Sequence, residues 1–152
     1  MVKRKRVVKD VAGLLADLEV QATFVRRTAI IELVERGSKE SAGRLQGLLT
    51  DREASIRACA AWALGELGEP TSAKTLGLCL KDMDVDVRRA AAQSLANLNQ
   101  PESEPLLQSA SVDSDRWVAE WARRGLARIQ NGTIRKRPRA VKRAAASDQG
   151  GT

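Results

Sequence analysis

The sequence predicts an all-α fold, a solenoid of about eight helices stacked as antiparallel pairs. Three observations predict it: a period of 31 residues along most of the chain, apolar residues at helical spacing inside each period, and residues that start and stop helices at matching places. The chain has 152 residues, of which 43% are apolar and 30% charged, and this is the composition of a globular or helical protein rather than of a disordered one.

The repeat is visible in residues that recur every 31 positions. In rows that begin at residues 20, 51, 82 and 113, one column holds aspartate in three rows, another holds arginine in three rows, and four more are apolar. The matching residues are Asp51, Asp82 and Asp113; Arg26, Arg57 and Arg88; Val25, Ile56, Val87 and Val118; Ala29, Ala60, Ala91 and Ala122; Leu33, Leu64, Leu95 and Leu126; and Leu45, Leu76 and Leu107. So many matched columns indicate a structural repeat.

Each row is predicted to form two helices, of which the first is the longer. In the second row Ile56, Ala60 and Leu64 recur at the spacing of one helix face. Asp51 is expected to cap the start of this helix, because its side chain can accept backbone N–H bonds. Gly68 is expected to end it, because glycine adopts the left-handed conformation common at helix ends.

The second helix of each row begins near a proline. Pro70 and Pro101 stand at its first positions, where a missing N–H group has no cost. Pro105 requires this helix to begin near Glu102, since only the first turn tolerates proline. Asn99 takes the place of Gly68 in the third row and is the next-best residue for a left-handed helix end.

The pattern extends beyond the three complete rows. Residues 7–19 resemble a lone second helix, and residues 113–130 resemble a lone first helix that is closed by Asn131 and Gly132. The total is eight helices. Because no single pair can bury its apolar face alone, the pairs are expected to stack on one another.

The net charge of +7, from 26 basic and 19 acidic residues, is unevenly distributed. Residues 1–9 carry five basic and no acidic side chains, and residues 132–152 carry six basic and one acidic. Residues 10–131 have three more acidic than basic residues. The sequence therefore predicts a mildly acidic solenoid over 10–131 between a basic N-terminal extension and a basic, flexible C-terminal tail.

The chain has no histidine and two cysteines. It therefore lacks a histidine general base, a histidine-based catalytic triad and a histidine-containing zinc site. Cys59 and Cys79 form no CxxC motif and are expected to be small buried residues of a reducing compartment, although their spacing leaves a disulfide open. No apolar run has the length of a membrane span or of a secretory signal, so a cytoplasmic protein is expected.

Two segments carry a family resemblance. Residues 56–68 read IRACAAWALGELG and residues 87–95 read VRRAAAQSL, and both resemble the short HEAT repeat of the phycobilisome-lyase type. The resemblance covers about residues 20–130 and implies a right-handed α-solenoid. It also implies that Arg57 and Arg88 bond to an aspartate in the turn of the neighbouring repeat, so that Arg–Asp pairs run along the stack.

Catalysis is not expected. The resemblance includes subunits of bilin lyases and a metal hydroxylase with paired His–Glu sites, but such a metal site requires histidine. The acidic clusters at 82–86 and 113–115 suggest either a cation site or helix capping, and their position at helix starts favours capping. We therefore expect no catalytic residue, no metal and no cofactor.

Two groups of residues are candidates for a protein-binding surface. By analogy with the family, the second helices line the concave side and expose Arg44, Lys74 and Gln108. Trp117 and Trp121 lie four residues apart on the last helix, where the other rows have mostly small or polar residues. They are expected either to close the end of the stack or to dock another protein or a second copy, since tryptophan is enriched at binding hot spots.

The basic residues are candidates for binding a polyanion, because lysine and arginine gain affinity by releasing counterions from a phosphate backbone. An anionic membrane surface or an acidic protein would attract them too. They belong to both chain ends and to the last helix: Lys3, Arg4, Lys5, Arg6, Arg116, Arg123, Arg124, Arg128, Arg135, Lys136, Arg137, Arg139, Lys142 and Arg143.

Three functions follow from these observations. The first is a non-enzymatic scaffold that binds a protein partner through its helix-lined surface, since repeats supply a long rigid surface. The second is a protein that associates with nucleic acid through its basic termini and last helix. The third is an accessory subunit of a modifying enzyme such as a bilin lyase.

Overall fold

A computed structural model describes the backbone of residues 9–136 and the side chains of residues 9–132. Over residues 9–136 it contains eight α-helices and no strand, which confirms the all-α prediction. The helices are α1 (Val11–Asp17), α2 (Thr23–Glu35), α3 (Ala42–Gly47), α4 (Ala54–Glu66), α5 (Ala73–Cys79), α6 (Val85–Leu98), α7 (Glu104–Ala110) and α8 (Arg116–Lys136). The predictions for residues 1–8 and 137–152 lie outside the described residues.

The helices form two layers that follow the predicted repeat. The first helices of the repeats, α2, α4, α6 and α8, pack one against the next, and the second helices, α1, α3, α5 and α7, each pack against the first helix that follows. The predicted lone second helix at residues 7–19 is α1, which begins after Asp10 and is capped by its carboxylate.

The core is built from the repeated columns. Ala29 is 1% exposed and its three equivalents are fully buried, as are the leucines of the second helices, represented by Leu76. At the ends of the stack the match is looser, since Val25 and Leu126 are only half-buried. Burial of the repeated apolar residues therefore holds the layers together, at about 25 cal/mol for each Å² removed from water.

The first helices approach one another closely. A Cβ atom added to Gly65 of α4 would lie 2.3 Å from the Ser94 hydroxyl oxygen of α6, and that hydroxyl donates to the Ala61 carbonyl oxygen at 2.8 Å. The next pair is similar, because a Cβ atom on Gly125 of α8 would lie 3.0 Å from the Ala96 Cα atom. Small residues on facing positions set this spacing.

The helix ends follow the predicted residues. Gly68 and Asn99 adopt the left-handed conformation, with φ of 64° and 51°, as expected for residues that end a first helix. Pro70 and Pro101 each begin a short 3-10 turn that leads into the second helix. Pro105 lies in the first turn of α7, where its missing N–H group is harmless.

The last helix is longer than predicted. We expected it to close at Asn131 and Gly132, but α8 continues to Lys136. Gly132 has no positive φ and is an ordinary helical residue, unlike Gly68. A glycine inside a helix costs only about 1 kcal/mol, which is too little to stop a helix whose next residues remain helical.

Both cysteines are free, so the disulfide that the spacing left open is absent. Cys79 is buried, and burial raises the pKa of its thiol to about 11. Cys59 is half-buried, and burial raises its pKa although Arg27 acts in the opposite direction. Among residues 9–136 there is no helix with the length and apolar character that crossing a membrane requires.

Candidate functional site

Arginine and aspartate side chains pair between successive repeats. The Arg57 guanidinium donates to both carboxylate oxygens of Asp82, at 2.7 and 2.9 Å, and to the Asp51 carbonyl oxygen at 2.8 Å. The following repeat has the same arrangement, with distances of 3.1 and 3.4 Å to the carboxylate. The three pairs are Arg26–Asp51, Arg57–Asp82 and Arg88–Asp113. They confirm the series of pairs that the family resemblance implied.

The acidic clusters cap helices, as predicted. The Asp82 carboxylate accepts the Asp84 N–H at 2.9 Å, and the Asp84 carboxylate accepts the N–H groups of Asp86 and Val87 at the start of α6. Asp115 caps the start of α8 in the same way. Over the described part of the chain, no group of three or more Cys, Asp or Glu side chains is arranged to hold a metal ion.

The start of α4 differs from the prediction. Asp51 was expected to be the N-cap, but α4 begins at Ala54 and Glu53 occupies the cap position. The Asp51 carboxylate instead accepts the Glu53 N–H at 2.9 Å, two residues along. This is the short side-chain turn that aspartate favours before a helix, and it leaves the other oxygen of Asp51 for the pair with Arg26.

The arginine partners lower the pKa of two aspartates. The hydrogen bond from Arg57 is the largest cause of the lowered pKa of Asp82, and burial acts against it. Arg89 lowers the pKa of Asp115 to about 2, again chiefly by a hydrogen bond. Arg89 therefore forms a second inter-repeat pair beside Arg88, at 2.6 Å from Asp115.

The three residues predicted to line the second-helix surface are all exposed. Arg44 lies on α3, Lys74 on α5 and Gln108 on α7. Arg44 pairs with Glu19 at 3.0 Å, and both side chains are well exposed. These residues occupy different helix positions within their repeats, so they mark one surface without forming a compact cluster.

An open cleft of about 410 Å³ lies between α3 and α5 on this surface. We call it the second-helix cleft, and its lining includes Gln46, Leu49, Asp51, Arg57, Thr75, Leu78, Cys79 and Asp82. Leu78 stands at the cleft and is 72% exposed.

Two positions of the cleft differ from the next repeat: Thr75 takes the place of Leu106, and Gln46 takes the place of Gly77. Thr75 is the equivalent of Leu106 in the next repeat, where the Leu106 methyl groups pack within 2.8 Å of the position a Cβ atom would take on Gly77. Thr75 is smaller than Leu106, and with Gln46 it lines the open space between α3 and α5. Sequence reasoning missed Leu78 and Thr75, although their departure from the repeat columns was the available signal.

A second concavity, the outer groove, lies across the first helices. It has a volume of about 520 Å³, its floor includes Ala58, Cys59 and the half-buried Trp62, and Ile31 stands beside it with 39% exposure. Trp62 packs against the core. Arg27 and Asp86 are the charged residues of this groove.

The two tryptophans of α8 have different environments. Trp121 is half-buried and packs against the core, with the Arg124 guanidinium 5.5 Å from its ring centre. Trp117 is 56% exposed, with Arg116 at 6.0 Å from its ring. Packing therefore accounts for Trp121, whereas Trp117 presents most of its ring to solvent.

The basic residues of α8 whose side chains are described lie at the surface. Arg123 and Arg124 share Glu120 as an acidic partner, at 3.7 and 2.9 Å. Arg128 donates weakly to the Ala96 carbonyl oxygen at 3.4 Å. Of Arg135 and Lys136 only the backbone is described, and the other predicted residues lie outside the described part: Lys3, Arg4, Lys5, Arg6, Arg137, Arg139, Lys142 and Arg143.

Several solved structures resemble this arrangement. The complex of CpcE and CpcF of phycocyanin lyase from a Nostoc species matches with a TM-score of 0.71 and 25% identity, over 88% of this chain and 60% of that one. Human deoxyhypusine hydroxylase matches with a TM-score of 0.70 and 25% identity, over 82% of this chain and 45% of that one. An engineered protein with 22% identity and a TM-score of 0.66 matches over 80% of this chain and 63% of that one, and shows the fold alone.

This chain thus spans about half to two thirds of the length of the structures it resembles. A search of curated proteins finds no match. The family model for HEAT repeats matches residues 11–82 and again residues 73–150. Together with the stacked helix pairs and the inter-repeat Arg–Asp pairs, this match shows that the chain belongs to the HEAT-repeat family.

Proposed function

We propose that the chain is a non-enzymatic scaffold that binds a segment of a partner protein in the second-helix cleft. The observation that carries the proposal is Leu78, 72% exposed at an open cleft. Covering a leucine side chain contributes about 1–2 kcal/mol to binding. In many protein interfaces, a few well-packed contacts of this kind supply most of the binding free energy.

The lining defines the chemistry of the partner segment. Leu78 supplies most of the exposed apolar surface for one bulky apolar side chain, since Leu49 and Cys79 are each only 6% exposed. Gln46 and Thr75 supply polar groups for its backbone. The charged groups of the cleft are already paired within the chain, so they do not call for a charged ligand. A similar structure was itself solved as a complex of two proteins, which supports a protein partner here.

Filling the cleft tests the proposal. Thr75→Leu copies the residue of the next repeat and should fill the space, whereas Leu78→Arg should remove the apolar contact. Both variants of the full chain, used as bait, should lose a partner that the unchanged chain captures, as followed by quantitative mass spectrometry.

Met83→Ser is the matched control, because Met83 is 99% exposed and lies outside the cleft. It should capture the partner as well as the unchanged chain does. Capture that survives both Thr75→Leu and Leu78→Arg would contradict the proposal, and so would equal loss with Met83→Ser.

A polyanion is the second candidate ligand, and the surface of α8 favours it. Arg116, Arg123, Arg124 and Arg128 are exposed, and Arg123 and Arg124 share one acidic neighbour, Glu120. This function predicts nucleic-acid binding that weakens steeply with salt, with a slope that falls by about one unit for each phosphate contact removed. Arg116→Gln together with Arg124→Gln in the full chain should reduce that slope, and an unchanged slope excludes α8 from the contact.

The third candidate, an accessory subunit of a modifying enzyme such as a bilin lyase, rests on the likeness to the phycocyanin lyase complex. It predicts that the captured partner is an enzyme subunit and that Leu78→Arg slows the modification reaction of the assembled enzyme. A captured partner without such activity would argue for the simple scaffold.

A further inference from the structure

The free side of α8 differs from the same side of the inner first helices. On α4 this side carries Ala61 and Gly65, which contact Ser94 of the next first helix. The repeat places Arg123 and Ala127 of α8 at these positions. No first helix within the described residues packs on this side of α8. It therefore presents an arginine where α4 and α6 have alanine and α2 has Ile30.

The opposite side of the stack has acidic residues at two of the positions that form contacts in the inner repeats. Position 94 of α6 corresponds to Glu32 of α2, and position 97 corresponds to Glu35. Glu32 lines a groove of about 200 Å³ between α1 and α2, where it lies 3.8 Å from Arg36. Phe24 lines the same groove and is 80% exposed. In the inner repeats a preceding first helix packs against this side.

We propose that a second copy of the chain stacks head to tail on the first, with α8 of one copy packed on α2 of the next. The register of the repeat fixes the contacts. Ala61 meets Ser94 across an inner junction, and the equivalent pair between copies is Arg123 with Glu32. This inference is independent of the second-helix cleft, which lies elsewhere.

A second ion pair follows from the same register. Arg128 of α8 reaches the Asn97 side chain of α6 at 3.4 Å, 31 residues earlier. Asn97, Arg128 and Glu35 occupy the same repeat position. Between copies, the equivalent contact therefore joins Arg128 of one copy to Glu35 of the next. Two basic positions of one face thus meet two acidic positions of the other, and such complementarity sets the register and orientation of an interface.

The inter-repeat Arg–Asp pair is replaced on both sides of this junction. The arginine column ends in Ala119 on α8, and the aspartate column begins with Val20, which is 38% exposed. In the proposed register these two apolar residues face each other. A change on one side alone would leave a charged partner without its counterpart.

Exposed aromatic surface is covered by the same contact. Asp86 and Cys59 line one groove across an inner junction, and the equivalent pair between copies is Phe24 with Trp121. Phe24 would pack beside the Trp121 ring, and burial of its side chain would add to the ion pairs. Because the contact joins two different faces, it is open-ended and predicts longer assemblies as concentration rises.

Charge reversal tests the register. The full chain, free of nucleic acid, should associate as concentration rises in low salt and dissociate in high salt, as measured by sedimentation velocity. Arg123→Glu and Glu32→Arg should each weaken association by at least about tenfold. An equal mixture of the two variants should associate again, because each supplies the face that the other lacks.

Glu66→Lys is the matched control, since Glu66 is exposed and occupies the column of Glu35 in the middle of the stack. It should associate like the unchanged chain, and circular dichroism should show that all variants are folded. A chain that stays monomeric at every concentration overturns the proposal. So do single variants that associate normally, a mixture that fails to recover, or a Glu66→Lys variant that is equally impaired.

Discussion

At the residue scale, an arginine that serves two repeats is the most informative feature. Arg57 donates to the carbonyl oxygen of Asp51 and to the carboxylate of Asp82. It thereby joins the turns that precede two successive first helices. The family resemblance predicted this pair from identity and position, whereas the second pair, between Arg89 and Asp115, was not predicted because the column of Arg89 holds Ala58 in the second row.

Asp82→Asn should lower the free energy of unfolding by about 2 kcal/mol, because it removes a charge-assisted hydrogen bond that is only partly exposed. Urea denaturation of the folded chain measures the change. Arg52→Ala is the control, since Arg52 is 72% exposed and 4.0 Å from its acidic partner, and it should cost less than about 0.5 kcal/mol. Equal effects of the two substitutions would contradict the role of the pair.

Acid should weaken the stack through the same aspartates. The pKa of Asp115 is lowered to about 2 by Arg89, and the pKa of Asp82 is lowered by Arg57. A carboxylate whose folded-state pKa lies below its unfolded value of about 4 stabilises the fold above that value. This stabilisation is lost as the pH falls toward the folded-state pKa. The melting temperature should therefore fall as the pH is lowered from about 4 to about 2, and the fall should be smaller in the Asp115→Asn variant. A melting temperature that does not change over this range would contradict the role of these aspartates.

At the element scale, the contact between α4 and α6 depends on a missing side chain. A Cβ atom on Gly65 would lie 2.8 Å from the backbone Cα of Ser94, so the helices would have to separate. Periodicity located both helices, but the sequence shows neither the distance between them nor the residues that set it. That distance results from packing across the layer.

Gly65→Ala should destabilise the fold by about 1–3 kcal/mol, the usual cost of overpacking. Gly43→Ala is the matched control on α3, because no atom lies within 4 Å of its added Cβ. It should stabilise the chain by up to about 1 kcal/mol, the difference in helix propensity. Chemical denaturation of both variants measures the difference. If both substitutions destabilised the fold, the close contact at Gly65 would not account for the effect.

Replacement of each tryptophan of α8 by alanine should destabilise the fold to a different extent, as measured by chemical denaturation. Trp121→Ala should cost about 2 kcal/mol of stability, because its ring packs against the core. Trp117→Ala should cost less than about 0.5 kcal/mol, since that ring is mostly exposed. A large loss with Trp117→Ala would mean that both rings support the fold.

At the scale of the whole molecule, the repeat made the architecture predictable but gave no indication of the second-helix cleft. Columns that agree describe what every repeat shares, namely the core, the turns and the Arg–Asp pairs. The second-helix cleft depends on columns that disagree, where Thr75 stands in place of Arg44 or Leu106 and Leu78 in place of Gly47 or Ser109. The length of α8 was missed for a related reason, because an Asn–Gly pair ends a helix only where the backbone turns left-handed.

The central claim is that the second-helix cleft holds a partner protein. A photoreactive amino acid at position 78, in cells that make the natural protein, tests it most directly, with position 83 as the exposed reference outside the cleft. We expect position 78 to crosslink reproducibly to one protein that position 83 does not capture. No crosslink at position 78, or the same set of products from both positions, would contradict the claim.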